Sequence, residues 1–206
     1  MKEEKNMNKI GKILITIGIF LIITSATLLI YTNYKEYKAG IKSQEALTII
    51  KNNYDDNNKT IINQKEISNN IKEMETTTIN GYDYIGSITI PTLNLELPIM
   101  SDYDYNRLNI APCRYYGSIY TNDLIICAHS YETHFKNIIN LKQNDKIIIT
   151  DISGNIYIYE VLEIEILNPK EVSKMIDNEF DLTLYTCTND GLNRITIRCN
   201  RLINSI

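Results

Sequence analysis

Apolar residues follow three patterns along this chain, and the first is an unbroken apolar run. Residues 13–34, ILITIGIFLIITSATLLIYTNY, contain no charged side chain. A helix needs about 20 such residues to cross the ~30 Å hydrocarbon core of a bilayer. A cleaved signal peptide is the alternative, but its apolar region spans only about 7–15 residues and ends at a small-x-small site, which is not found here. The run predicts an uncleaved transmembrane helix at 13–34, after a short tail at 1–12.

The second pattern, between the apolar run and residue 80, is polar. Residues 35–80 are rich in Asn, Lys, Glu and Thr. Ile41, Leu47 and Ile50 stand at near-helical spacing and permit a short helix, whereas residues 52–60, NNYDDNNKT, form a turn-rich break. The composition predicts a stalk or linker over 35–80.

The third pattern is alternation, which begins near Tyr82. Over 82–100, apolar residues recur at spacing two, the period of a strand with one buried face. Further strand candidates lie at 123–128, 146–150, 156–166, 182–186 and 194–200, with a short piece near Ser118. Two brief helical stretches, 134–141 and 171–176, separate some of them. We predict a mostly β domain at 81–206, a closed or nearly closed eight-stranded β-barrel with short helices, because closure leaves no exposed strand edge.

Charge and composition limit the classes of protein and of binding site that this chain can represent. The chain has 21 Lys and Arg against 25 Asp and Glu, a net charge of −4, which gives no indication of nucleic-acid binding. Its 44% hydrophobic and 22% charged residues are typical of a folded protein. The 4 Cys form no CxxC pair and are too few for a disulfide framework. We predict no metal site and no cofactor.

The orientation of the apolar run depends on more than its flanking charges. Four Lys residues precede the run and three follow it closely, so the Lys/Arg count barely decides the topology. The short N-terminal tail and the long remainder favour a single-pass protein of the cell membrane. In this topology the tail at 1–12 is cytoplasmic, and the linker and the β domain are extracellular.

Three residues at strand ends carry candidate chemistry. Cys187 follows the apolar strand LTLYT, His129 follows LIICA, and Arg194 begins the next strand seven residues after Cys187. A free thiol with a pKa near 8.5 is only a few per cent thiolate at pH 7, so a nucleophilic cysteine needs a nearby base or cation. A buried packing role is the alternative for any strand cysteine, and we expect it for Cys127 and Cys199. Loop-borne Cys113 is expected to be accessible.

These residues stand in motifs that resemble a known family. TLYTC at 183–187, preceded by AH at 128–129 and followed by NR at 193–194, resembles the sortase family of cysteine transpeptidases. The resemblance extends to GSITIP at 86–91 and covers most of residues 82–202. It implies a sortase-like catalytic β-barrel at 81–206.

The resemblance also implies residue roles and a reaction. Cys187 would be the nucleophile, His129 the general acid/base, Arg194 the stabiliser of substrate and oxyanion, and Thr186 a substrate-binding residue. The reaction would cleave an LPxTG-like sorting signal through a thioacyl enzyme. The substrates would be surface proteins or pilins of a Gram-positive cell, and the acceptor an amine of a peptidoglycan precursor or a pilin.

The sequence departs from the family pattern in one place. Ala128 stands where the family often has Gly before the histidine, and Ser130 follows the histidine. The chain lacks the long helical insertion of the class B pattern, and it has no clear acidic cluster matching the calcium site of some class A members.

Several alternatives remain open at this level. His134 is a rival base, Arg198 is a rival arginine on the same strand face by period two, and Asp190 is either a third catalytic member or a turn residue. An L,D-transpeptidase is the alternative enzyme, although its SHGC-type stretch is absent. A non-catalytic, membrane-tethered β module is the alternative of a different class.

Overall fold

The computed structural model describes residues 2–54, 73–177 and 179–202, with side chains from residue 9. It separates into two compact units, Met1–Tyr37 and Lys38–Ile206. The helix α1, Lys2–Asn53, runs through the first unit and begins the second. The predicted linker residues 55–72 lie outside the described part of the chain.

The first unit is a helix whose apolar side chains face outward. Leu14, Ile22 and Ile30 are each at least 63% exposed. Exposed apolar side chains on all sides of a helix are costly in water, whereas a lipid environment would bury them. The helix is long and apolar enough to cross a membrane by length and composition. The predicted long apolar helix is thus present. Its orientation across a membrane stays a prediction.

In the second unit, α1 continues beyond the predicted span and packs on the β domain. One face of this portion is buried, at Ala39, Ser43, Ala46, Leu47 and Ile50. The helix ends at Asn53, where the predicted turn-rich break begins. Ala46 and Ile50 join an apolar cluster with residues of the β domain, so part of the predicted linker contributes to a core.

Nine strands form the β domain. They are β1 Thr77–Ile79, β2 Tyr82–Ile90, β3 Leu95–Met100, β4 Cys113–Tyr116, β5 Leu124–Cys127, β6 Lys146–Asp151, β7 Ile156–Leu167, β8 Leu182–Cys187 and β9 Arg194–Arg201. Their order is β1-β2-β3-β4-β5-β8-β9-β7-β6, and β6 pairs back onto β2. Eight strands therefore close a barrel, as predicted, while β1 pairs with β2 outside the ring.

The strand predicted near Ser118 ends earlier, at Tyr116. Gly117 has a positive φ of 70°, and a Cβ atom there would lie 2.1 Å from the carbonyl oxygen of Asp123. The chain must turn at this glycine. The Oδ1 atom of Asp123 then accepts a 3.0 Å hydrogen bond from the backbone N–H of Ser118.

Short helices connect the strands. The helix α2 spans Val172–Ile176, within the predicted stretch 171–176. Three 3-10 helices span Pro91–Leu93, Arg107–Asn109 and Lys136–Asn140, the last within the predicted stretch 134–141. The barrel interior is filled by β-branched and aliphatic residues such as Ile88, Ile126 and Leu184.

The pairing of three strands positions the candidate site. β5 and β8 run parallel, with Cys127 opposite Tyr185. β8 and β9 are antiparallel, with Cys187 opposite Arg194. The carboxyl ends of β5 and β8 and the start of β9 therefore lie at the same edge of the barrel.

Candidate active site

Cys187 and Arg194 face each other across the hairpin that joins β8 and β9. They are direct partners in the antiparallel ladder. The loop between them is closed by the N–H of Thr188, which donates to the carbonyl oxygen of Asn193 at 3.0 Å. Opposed residues of such a ladder have Cβ atoms about 4.5–5.5 Å apart. The predicted fold-back of Arg194 beside Cys187 is present.

His129 reaches the same edge through the parallel pairing of β5 with β8. Ala128 donates from its N–H to the carbonyl oxygen of Tyr185 at 3.2 Å. The carbonyl oxygen of Ala128 accepts a 2.8 Å hydrogen bond from the Oγ1 hydroxyl of Thr186. His129 directly follows Ala128, and Cys187 directly follows Thr186. The structure thus brings His129, Cys187 and Arg194 together at one edge.

Thr186 precedes Cys187 on β8, and its side chain lies inside the protein. Its side chain is buried, at 1% exposure, while Tyr185 and Cys187 on either side are half-buried. Successive side chains of a strand alternate faces, so Thr186 points away from the face that carries Cys187. Its hydroxyl binds the backbone of the histidine segment, and the predicted contact with substrate stays a prediction.

Aromatic rings surround the imidazole of His129. Tyr105 meets it edge-on with ring centroids 5.6 Å apart, and Tyr131 lies 4.8 Å away. The Tyr131 hydroxyl donates to Oδ1 of Asn109 at 3.3 Å, which fixes that ring. Such contacts restrict the orientation of the imidazole. Sequence reasoning missed both tyrosines, although Tyr131 stands only two residues from His129.

The rival histidine is inside the protein. His134 is 1% exposed, and its ring centroid lies 5.5 Å from that of Tyr131. Burial, reinforced by the nearby charge of His129, lowers the pKa of His134 to about 4. An imidazole held neutral in the interior is poorly suited to deliver a proton to a peptide substrate.

The four cysteines differ in access. Cys187 is half-buried, whereas Cys113, Cys127 and Cys199 are buried. Burial raises the pKa of Cys113 to about 12, and it raises the pKa values of the Cys127 and Cys199 thiols well above their ordinary range. The packing role expected for Cys127 and Cys199 is confirmed. The expectation for Cys113 is wrong, because this residue begins β4 and is enclosed by an apolar cluster.

The guanidinium of Arg194 is anchored by its own hairpin. Its Nη1 donates to the carbonyl oxygens of Asn193 at 3.0 Å and Gly191 at 3.4 Å. Among the described residues its hydrogen bonds engage Nη1 alone, so Nε and Nη2 remain for a ligand. A guanidinium offers five donors in a planar fork, which suits a carbonyl oxygen or an oxyanion.

Arg198 and Asp190 are occupied elsewhere. Arg198 is 2% exposed and its Nε donates to Oε1 of Glu165 at 2.7 Å. Asp190 accepts the Thr188 hydroxyl and, at 3.0 Å, the N–H of Leu192, which are bonds of a turn residue. These hydrogen bonds lower the pKa of Asp190, with the Thr188 contribution the largest.

A cavity of about 170 Å³ adjoins Arg194. Its lining includes three tyrosines, Tyr103, Tyr115 and Tyr185, and also Met175. Tyr185 lies on the same face of β8 as Cys187, two residues away. The cavity and the thiol are therefore on the same side of the sheet, which suits a peptide that extends from one to the other.

The chain matches proteins of known family in sequence and in fold. The Sortase domain model matches residues 88–202. A Sortase A from Bacillus anthracis is 26% identical over 191 residues, covering 89% of this chain and 90% of that protein. Sortase A from Corynebacterium diphtheriae is 28% identical with a TM-score of 0.51, over 58% of this chain and 61% of that chain. Sortase C1 from Streptococcus agalactiae shares the fold, with 23% identity and a TM-score of 0.54 over 62% of this chain and 72% of that chain.

The matched segment contains the whole candidate site. Cys187, His129 and Arg194 all lie within residues 88–202, and this segment forms the closed barrel from within β2 to the end of β9. Sequence motif, strand topology and family model agree over more than half of the chain. The chain therefore belongs to the sortase family, a family of cysteine transpeptidases.

Proposed function

We propose that this chain is a membrane-anchored transpeptidase that cleaves an LPxTG-like sorting signal and transfers the cleaved protein to an amine. The observation that carries the proposal is the strand register, in which Cys187 lies opposite Arg194. Cys187 also directly follows Thr186, whose hydroxyl donates a hydrogen bond to the carbonyl oxygen of Ala128. A thiol, an imidazole and a guanidinium thus share one edge of the barrel. This combination suits acyl transfer.

Acylation would begin at the thiolate of Cys187. Its sulfur attacks the carbonyl carbon of the scissile Thr–Gly bond, and the carbonyl oxygen becomes an oxyanion. Arg194 would donate to this oxygen as the negative charge develops. The His129 imidazolium then protonates the departing amine, so the C–N bond breaks and a thioester to Cys187 remains.

Deacylation would reverse the roles with a new amine. Neutral His129 accepts a proton from the incoming amine, whose nitrogen attacks the thioester carbon. The Cys187 thiolate leaves and a new amide bond forms. If water replaces the amine, the same steps give hydrolysis. The thioester thus explains how a peptide bond is exchanged between two partners.

The partners follow from this chemistry and from the anchor. Substrates would be surface proteins or pilins with a C-terminal sorting signal, and acceptors would be amines of a peptidoglycan precursor or a pilin. The apolar helix would hold the enzyme in the cell membrane as a single-pass protein, with the catalytic domain outside. In that location both the secreted substrate and the cell-wall amine are accessible.

The test uses the full chain in detergent micelles. It is incubated with a library of sorting peptides, with and without an amine acceptor, and Cys187 is examined by mass spectrometry for an acyl adduct. We expect a thioester on Cys187 and a peptide–amine product. Cys187→Ala should give neither, whereas Cys199→Ala, a buried thiol, should give both. Turnover by Cys187→Ala would contradict the proposal, and peptide binding without a covalent adduct would favour the non-catalytic module.

A further inference from the structure

Arg198 is a buried arginine that sequence reasoning treated only as a rival of Arg194. It is the largest fully buried residue in the described part of the chain. A buried guanidinium is costly unless its donors are satisfied and its charge is paired. The structure pairs the charge and gives partners to four of the five donors. Nε donates to Oε1 of Glu165 on β7 at 2.7 Å, and Nη1 donates to Oγ1 of Thr183 on β8 at 3.0 Å.

The remaining hydrogen bonds of Arg198 go to the end of α2. Nη2 donates to the carbonyl oxygen of Lys174 at 2.7 Å, and Nη1 donates to that of Met175 at 3.4 Å. The last four carbonyl groups of any α-helix lack intrahelical partners. In a helix of only 5 residues this leaves most of the backbone dependent on outside donors. Arg198 therefore satisfies groups that α2 cannot satisfy itself.

The helix held in this way forms one wall of the cavity beside Arg194. Val172 and Met175 line the cavity from α2, and Tyr115 and Tyr185 line it from β4 and β8. Met175 is buried against an apolar cluster with Ile125, so a shift of α2 would move this wall as a unit. Two of the residues that line the cavity therefore depend on the position of α2.

We propose that Arg198 is a positioning residue that fixes α2 as the wall of this cavity and thereby sets the affinity of the site for its peptide. The inference rests on the proposed function for its link to a peptide substrate. The link from Arg198 to α2 stands on the two hydrogen bonds to the carbonyl oxygens of Lys174 and Met175. Arg198 itself has no contact with the reacting atoms, because β9 separates it by four residues from Arg194.

The test compares the full-length wild-type chain with Arg198→Met and Arg198→Lys. Methionine keeps an unbranched apolar stem but removes every donor, whereas lysine keeps the charge and loses the planar fork. Hydrogen exchange measured by mass spectrometry reports on α2 without any substrate. We expect exchange over 172–177 to be at least about tenfold faster in Arg198→Met, with a smaller change in Arg198→Lys. Exchange in β2 should be unchanged.

Kinetics with a sorting peptide then test the effect on affinity. KM should rise about tenfold in Arg198→Met, while kcat stays within about threefold of wild type. Ile88→Val is the matched control for general destabilisation, because Ile88 is fully buried on β2, which pairs with neither β8 nor β9. This variant should leave both KM and α2 exchange unchanged.

The two proposals fail in different ways. A wild-type chain that forms no thioester with any peptide contradicts the proposed function, and α2 exchange still decides whether Arg198 positions the helix. Unchanged α2 exchange in a folded Arg198→Met chain would overturn the inference, as would faster exchange with an unaltered KM. If Arg198→Met does not fold, Arg198→Lys is tested in the same way. Its α2 exchange and its KM should change in the same directions.

Discussion

The Oγ1 hydroxyl of Thr186 donates a 2.8 Å hydrogen bond to the carbonyl oxygen of Ala128, and this bond joins the residue before Cys187 to the residue before His129. The two residues are 58 positions apart in the chain. The N–H of Ala128 in turn donates to the carbonyl oxygen of Tyr185, so Ala128 is held by two successive residues of β8. The relative position of thiol and imidazole is thus built into the backbone pairing.

Thr186→Val is expected to weaken this link. Valine keeps the shape of the side chain but removes the hydroxyl, which leaves the buried Ala128 carbonyl short of one donor at a cost of about 1–3 kcal/mol. Acylation of Cys187 should slow by roughly tenfold or more, since small misplacements of reacting groups are costly. Urea unfolding and single-turnover acylation measure the two effects. Thr186→Ser, which keeps the hydroxyl, should stay near wild type in both; equal defects in the two variants would contradict this role.

Thiol labelling should distinguish Cys187 from the other cysteines. The native chain treated with iodoacetamide is expected to take one adduct, at Cys187, because the other three thiols are buried and their pKa values are raised. The urea-unfolded chain should take adducts at all 4 Cys. Peptide mass mapping locates the adducts, and native labelling at Cys127 ahead of Cys187 would show that the thiol environments have been misassigned.

His134 should make the protein less stable in acid. Its pKa is about 4 in the folded chain, mainly because of burial, against about 6.5 when unfolded. Below pH 6.5 the unfolded state therefore binds more protons, and stability present above that pH is lost as pH falls through 4. The loss amounts to at most about 3 kcal/mol from this group. Urea unfolding at pH 7, 5.5 and 4 measures it.

The control for this pH dependence is His134→Leu, which places an apolar side chain in the same buried position. The difference in unfolding free energy between pH 7 and pH 4 should shrink in the variant, leaving the dependence due to carboxylates. Identical pH dependence in wild type and His134→Leu would show that the buried imidazole does not titrate as described.

Substitution of the two histidines should affect turnover differently. His129→Ala is expected to reduce turnover by about 10²–10⁴-fold, since expulsion of the amine needs a positioned proton donor. His134→Leu should retain turnover at neutral pH, because His134 is neutral and buried there. Steady-state rates with one peptide compare them, and the opposite ranking would assign the proton transfer to His134.

The sequence was sufficient to predict the edge of the barrel where the site lies, but not the contacts that support it. Cys187, His129 and Arg194 could be placed at one edge because each ends or begins an apolar strand, whereas their predicted roles rest on the resemblance to sortases. The parallel pairing of β5 with β8 could not be derived from periodicity, since it joins strands 58 residues apart. The helical spacing of Leu47 and Ile50 was recognised, but the packing of this part of α1 on the β domain was not, because small residues such as Ala39 and Ser43 carry little hydrophobic signal.

Arg198 illustrates the same limit. Period two correctly places it on the strand face of Arg194, and both side chains lie near Met175. Their environments differ because α2 covers the face at Arg198 and leaves Arg194 half-buried. Whether the segment between two strands folds over a neighbouring strand depends on the conformation of that segment, and strand periodicity contains no information about it.

Arg194→Lys tests whether charge alone is enough at the site. Lysine keeps the positive charge but loses the planar fork that a carbonyl oxygen can share between two donors. If Arg194 stabilises the oxyanion, the acylation rate should fall by about 10²–10³-fold while KM changes little, because the interaction strengthens only as charge develops. Single-turnover formation of the Cys187 thioester isolates this step.

Arg201→Lys is the matched control, since Arg201 lies at the far end of β9 from Arg194. It should acylate at nearly the wild-type rate. Arg198→Lys should instead alter KM more than the acylation rate, because the guanidinium of Arg198 is buried and four of its five donors bind Glu165, Thr183 and α2. A severe acylation defect in Arg198→Lys beside a near-normal Arg194→Lys would transfer the oxyanion role to Arg198. The hairpin register places Arg194 opposite Cys187, and we therefore expect the severe acylation defect in Arg194→Lys.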